Sequence, residues 1–161
     1  TAILAYKYKL IEAILEDGRM VYKIEVIPRK NSNSTCKGYI YINDELWNIN
    51  RIEVEFYKGG LKFYDAFQLK QHYQQIKDSL WIPYRQEFIY ETKQGNKQTF
   101  KGNTTIFYKD FQKGVVFPER FFRNEVAVTT KEAYERDSSY WQQVRTEPFE
   151  RKHPENGSFS R

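Results

Sequence analysis

From Arg19 to Val26 the chain puts Met20, Tyr22, Ile24 and Val26 at every second position and Arg19, Lys23 and Glu25 among the positions between. Successive side chains of a strand point to opposite faces, so this pattern fits a sheet with one apolar and one polar side and does not fit a helix. Asp17-Gly18 stands just before it, a pair suited to the positive φ angles of a type I′ turn. On the other side of that pair Tyr6, Tyr8, Leu10 and Ile14 are set against Lys7 and Lys9, which predicts a hairpin. Pro28 has no N–H for a ladder and is expected at a strand end.

The same period continues beyond the Asn/Ser-rich loop before Gly38. "GYIYIN" meets "LWNINRIEVEFYK" across Asp44-Glu45, with Ile52, Val54 and Phe56 opposed by Arg51, Glu53 and Glu55. Trp47 and Ile49 are out of step with Ile52, which predicts a bulge near Asn50. After a turn at Gly59-Gly60, Phe67, Leu69 and Tyr73 alternate with Gln68, Lys70, His72 and Gln74. The next strand puts Leu80, Ile82, Tyr84, Phe88 and Tyr90 on one side. A turn over 94–96 returns the chain through Phe100, Thr104, Ile106 and Tyr108. No helix of crossover length separates these runs, so the expected fold is mainly β, a curved antiparallel sheet or half-open barrel. Tyr22, Ile24, Ile52, Val54, Phe88 and Ile106 are expected on its buried side.

One or two short C-terminal helices complete the expectation. Thr129 and Glu132 have capping-box spacing, and Asp137 is placed to cap a turn carrying Tyr140, Trp141 and Val144, with Glu147-Pro148 as the stop. Trp141 is the large aromatic expected to anchor this segment. The expected organisation is one β-rich domain over 1–145 and a polar tail or linker over 146–161. Both ends read as cuts through a longer polypeptide.

The 161 residues suffice for one domain that buries roughly two thirds of its unfolded surface. The net charge of +5 comes wholly from residues 1–116, which hold 18 Lys and Arg against 13 Asp and Glu. Lys7, Lys9, Lys23, Lys70, Lys93 and Lys101 alternate with apolar residues and do not cluster, so nucleic acid is not an expected partner. The single Cys36 excludes an internal disulfide, no Cys/His cluster suggests a metal, and no cofactor is expected. No basic start with an apolar run marks a signal peptide, and no stretch nears the roughly 18 apolar residues of a membrane helix, so a soluble domain without a transmembrane segment is expected.

Catalytic chemistry finds little support in the residues. His72 and His153 have no Ser, Cys or carboxylate at a catalytic spacing, and both read as solvent-facing. Glu53 with Glu55, and Glu87 with Glu91, share a face as a hydrolase pair would, yet ordinary strands expose acids the same way. Gly59-Gly60 lacks the Lys-Ser or Lys-Thr of a phosphate loop, and Cys36 reads as a bystander in a loop. The aromatic content, with 13 Tyr and 12 Phe, stands out. Tyr6, Tyr8, Tyr22, Phe56, Tyr84, Phe88, Tyr90, Phe100 and Tyr108 either fill a core or line the concave face of an open barrel that holds a lipid or acyl chain. The second reading names Tyr22, Phe56, Tyr84, Phe88, Phe100 and Tyr108 as the apolar ligand-binding face.

Two stretches carry a resemblance. "KYKLIEAILEDGRMVYKIEVIPRK" followed by "GYIYINDELWNINRIEVEF" resembles the middle region of an uncharacterised Gram-negative outer-membrane family with an N-terminal carboxypeptidase-regulatory-like domain. The spacing of Asp137, Trp141 and Arg145 is similar to that family too, with Thr146-Glu147 standing between Arg145 and Pro148 as a departure. "YIYINDELWNINRIEVEF" and Trp81-Ile82-Pro83 also resemble the periplasmic lipoprotein-carrier half-barrel, a cradle for acyl chains. These resemblances imply a periplasmic or outer-membrane location, with the remaining domains of a longer protein as partners. The resulting expectation is a non-catalytic structural or ligand-binding module of a cell-envelope protein that takes a lipid or acyl chain. The alternative is a glycan-directed enzyme or carbohydrate-binding domain.

Overall fold

A computed structural model describes residues 2–76, 80–94, 98–119, 121 and 131–147. The chain divides into two compact units, 1–111 and 112–161. The first opens with a helical turn, α1 (Ala2–Ala5). It then forms β1 (Tyr6–Glu16), β2 (Arg19–Pro28), β3 (Cys36–Asn43), β4 (Ile49–Phe56), β5 (Ala66–Ile76), β6 (Leu80–Gln94) and β7 (Gln98–Phe107), with a 3-10 turn at Lys58–Gly60. The second unit contains α2 (Lys131–Glu135) and α3 (Ser138–Val144).

The seven strands form one antiparallel sheet in sequence order, a meander that is not closed. Its turns follow the residues that make them. Asp17 and Gly18 adopt φ of 50° and 76°, the positive pair of a type I′ turn. Pro28 ends β2, where its missing N–H costs no ladder bond. The slip expected near Asn50 is present: Ile42 pairs with Ile49 and Tyr41 with Arg51, leaving Asn50 as the extra residue. Trp47 lies in the turn before β4 with φ of 53°, stacked on Tyr22 at 6.1 Å. The turn over 94–96 and the Thr129 cap fall partly or wholly outside the described residues.

Two further bulges escape simple alternation and move residues across the sheet. Ile11 is extra between Leu10 and Glu12, so Ile14 pairs with Val21 on the polar side while Ala13 and Leu15 continue the apolar side. Tyr84 is extra between Pro83 and Arg85. Leu80 and Ile82 therefore face away from Phe88 and Tyr90, which corrects the expectation of one shared side. Pro83, unable to donate at that point, stands where the ladder slips.

Tyr22, Ile24, Ile52, Val54, Phe88 and Ile106 do share one face by register. That face is not the better buried one. Val21, Tyr41 and Asn43, at 1%, 4% and 1% exposure, lie on the opposite, polar face, whereas Ile106 is 38% exposed. The reason is curvature. Arg19 on β2 holds its guanidinium 5.8 Å from the ring of Trp81 on β6. Four strand spacings on a flat sheet would separate those strands by about 19 Å. The sheet therefore curls at this end, and the burial of Val21, Tyr41, Asn43 and Ile82 makes the polar face its inner side.

In the second unit Asp137 caps α3 as expected, its side chain accepting from the Tyr140 N–H at 2.9 Å. That bond also holds its carboxyl below the usual range. Trp141 meets Tyr140 edge-on at 5.3 Å. Most of the tail over 146–161, with His153, lies outside the described residues.

Candidate functional site

Strand registers sort the chemistry of the sheet onto its two sides. Paired residues of antiparallel strands point the same way. Carried through all six pairings, this places every Lys, Arg, Asp, Glu and His of β1 to β7 on one face. The other face carries none.

The charged face satisfies itself. Arg51 donates from both terminal nitrogens to Glu16, at 2.7 and 2.8 Å, and lies 3.7 Å over the ring of Tyr41. Its hydrogen bonds hold the Glu16 carboxyl below the usual carboxylate range. Lys23 reaches Glu12 at 3.2 Å and approaches the rings of Tyr39 and Tyr41. Asn43 donates to Asn48 and accepts from Asn50, so its buried amide is paired. His72 stands in register between Arg51 and Arg85, with Tyr84 edge-on at 6.2 Å. It is half-buried, and desolvation together with Arg85 and Arg51 lowers its pKa. The expected solvent-facing histidine is thus a packed one.

The acid pairs singled out in the sequence lie on this charged face. Burial favours the neutral form of Glu87, but hydrogen bonds from Asn103 and Arg85 outweigh it and lower the pKa. A general acid needs the opposite shift. Glu53 accepts from Tyr41, and Glu55 pairs with Lys37. Cys36 opens β3, contrary to the loop expected for it, and its N–H donates to the Tyr6 hydroxyl at 3.3 Å. Among the described residues no group of three His, Cys, Asp or Glu is placed to hold a metal.

The uncharged face has the shape of a bounded strip. Ile24, Ile40 and Ile52 form one cross-strand row, and Val26, Gly38, Val54, Leu69 and Phe88 the next. Phe67 packs against Phe56, Phe88, Tyr64 and Tyr90, so the loop before β5 folds an aromatic wall over one end. Trp47 on Tyr22 closes the other. A groove of about 600 Å³ belongs instead to the charged side, where Glu25, Lys37, Tyr39, Glu53, Glu55 and Lys70 line it together with Val26, Gly38, Val54 and Leu69, within the range of small-ligand pockets. Tyr8, Leu10, Leu15, Phe56, Phe100 and Ile106 are all exposed on the uncharged side.

Of the six residues named from the sequence, Tyr22, Phe56, Phe88, Phe100 and Tyr108 lie on the uncharged face. Tyr84 does not: its bulge turns the ring onto His72, on the charged side. Sequence reasoning missed a hydrogen-bonded string on the uncharged face. Tyr108 donates to Gln86 at 2.8 Å, Gln86 to Gln71 at 2.6 Å, and Gln71 to the Tyr73 hydroxyl. Gln71 and Gln86 at apolar-phase positions were the available signal.

The model of a family described as "Family of unknown function (DUF5686)" matches residues 1–111. No curated protein and no solved structure shows significant similarity to the chain. The matched residues span the whole sheet, and no helix among the described residues is long and apolar enough to cross a membrane.

Proposed function

The chain belongs to this family of unknown function, and from that premise we propose that its sheet is a non-catalytic binding module whose uncharged face takes an acyl chain. The observation that carries the reading is the complete sorting of charge. A face of Ile, Val, Leu, Phe and Tyr with no formal charge, left widely exposed, favours apolar contact. Such contact contributes about 0.8 kcal/mol for each methylene removed from water. The aromatic ends formed by Tyr64, Phe67 and Tyr90 and by Trp47 and Tyr22 bound a strip along which an extended chain fits. The lowered pKa of Glu87 speaks against its serving as the general acid of a glycan-directed enzyme. A place in the cell envelope, within a larger protein, accords with the resemblance of the β1 to β4 sequence to envelope proteins.

Charge substitutions at exposed positions test the reading without burying a charge. Phe100 and Ile106 are 44% and 38% exposed on the uncharged face. Phe100→Glu and Ile106→Lys are expected to abolish binding of a fluorescent acyl probe while leaving the circular dichroism spectrum unchanged. Lys101→Glu, on the charged face, is expected to bind as the parent does. Equal binding by all three variants would refute the assignment.

A further inference from the structure

We propose that the groove on the charged face is a second binding site, independent of the acyl reading, and that it takes a neutral oligosaccharide across Tyr39 between Glu25 and Glu53. The inner side of the curled sheet is closed at one end, where Val21, Tyr41, Asn43 and Ile82 are buried. There Arg51 on β4 bonds Glu16 on β1 at 2.7 and 2.8 Å. Three strand spacings on a flat sheet would separate those strands by about 14 Å. The strap therefore holds the sheet bent before any ligand arrives, and preorganisation of that kind lowers the cost of binding. Beyond the strap, the next two cross-strand rows are Glu25, Tyr39, Glu53 and Lys70, then Lys37, Glu55 and Gln68. These rows line the groove of about 600 Å³.

The lining decides the class of ligand. Cross-strand register sets Lys70 against Glu53 and Lys37 against Glu55, the latter pair 3.5 Å apart. An ion of either sign laid there meets like charge beside opposite charge, so its lost hydration is poorly repaid. An apolar chain would strip water from Glu25, Lys37, Glu53, Glu55 and Lys70 with no hydrogen bond in return. A hydroxyl escapes both penalties, because one atom donates to a carboxylate and accepts from an ammonium. Tyr39 stands between its register partners Glu25 and Glu53, whose Cβ atoms lie about 5 Å to either side by pairing geometry. A pyranose laid on that ring brings hydroxyls of its opposite edges to the two carboxylates. Glu53 accepts from Tyr41 at 3.4 Å, and with about four lone-pair sites on a carboxylate it keeps acceptor capacity for a ligand. Lys23, 4.8 Å over the Tyr39 ring, comes from the row toward the closed end and bounds the platform there.

The test titrates maltohexaose, cellohexaose, xylohexaose and N-acetylchitohexaose into the whole chain by calorimetry, with spermine and tripolyphosphate as charged comparisons. At least one of the sugars is expected to bind with a Kd below about 1 mM, and more tightly than either ion. Glu25→Ala and Tyr39→Ala are each expected to weaken that binding about ten-fold, the size of one lost charge-assisted hydrogen bond or ring contact. Should Tyr39→Ala fail to fold by circular dichroism, Glu25→Ala alone carries the comparison. Phe100→Glu, on the uncharged face, is expected to bind the sugar as the parent does, so that loss of acyl binding and loss of sugar binding are separable. No binding by any of the four sugars, tighter binding of spermine or tripolyphosphate, or sugar binding undiminished by Glu25→Ala would overturn the proposal and leave the acyl reading untouched.

Discussion

Arg51 on β4 and Glu16 on β1 meet through two hydrogen bonds of 2.7 and 2.8 Å, across the two strands between them. The pair straps the charged side of the sheet and covers Tyr41, which is 4% exposed. Hydrogen bonds to charged groups are worth about 1.5–3 kcal/mol, more than an exposed ion pair. Arg51→Ala is accordingly expected to lower stability by about 2 kcal/mol in urea unfolding. Lys37→Ala, from the exposed pair with Glu55, is expected to cost under about 0.5 kcal/mol. Equal effects would show that the strap contributes nothing special.

Acid should weaken the sheet in two stages. His72 has its pKa lowered from 6.5 by burial, then by Arg85 and Arg51, so the unfolded chain takes up that proton more readily. The associated stability is present above about pH 6.5 and is lost as pH falls through the folded value. Glu16, lowered from 4.5 mainly by its hydrogen bonds from Arg51, follows the same sign at lower pH. The urea midpoint of His72→Gln is expected to stay flat between about pH 7 and pH 5, where that of the parent declines. Parallel declines would assign the sensitivity to another group.

Two glycines set up a sharper comparison. Gly38 has φ of 144°, and a Cβ there would fall on the Glu53 carbonyl oxygen and 2.9 Å from Val54 Cα, both backbone atoms of the neighbouring strand. At Gly102 the obstruction is the Tyr90 ring, which is able to rotate away. Gly38→Ala is expected to cost about 3 kcal/mol or to prevent folding, and Gly102→Ala about 1 kcal/mol. Thermal melting of the two variants checks the order, and a reversed order would contradict the packing described.

Much of this architecture was legible because period-two patterning and turn chemistry act locally. Asp17-Gly18 announced the first hairpin, and the phase change between Ile49 and Ile52 announced the bulge at Asn50. The bulges at Ile11 and Tyr84 were not legible, since they depend on how a strand pairs with its neighbour. They sent Ile14, Ile82 and Tyr84 to the unexpected side. The Arg51 strap joins residues 35 positions apart, and no local pattern links them. For the same reason the sequence suggested which residues share a face but not that the charged face would be the one toward which the sheet curls. The string from Tyr108 to Tyr73 was hidden because Gln71 and Gln86 look like breaks in an apolar pattern until the strands are placed side by side.

The central claim, that the uncharged face binds by apolar contact along an acyl chain, is tested most directly by chain length. Monoacylglycerols lengthened two carbons at a time are to be titrated into the whole chain by calorimetry. Each added methylene is expected to tighten binding about four-fold, the equivalent of roughly 0.8 kcal/mol, until the strip between the aromatic ends is filled. Affinity that does not change with chain length would contradict the account.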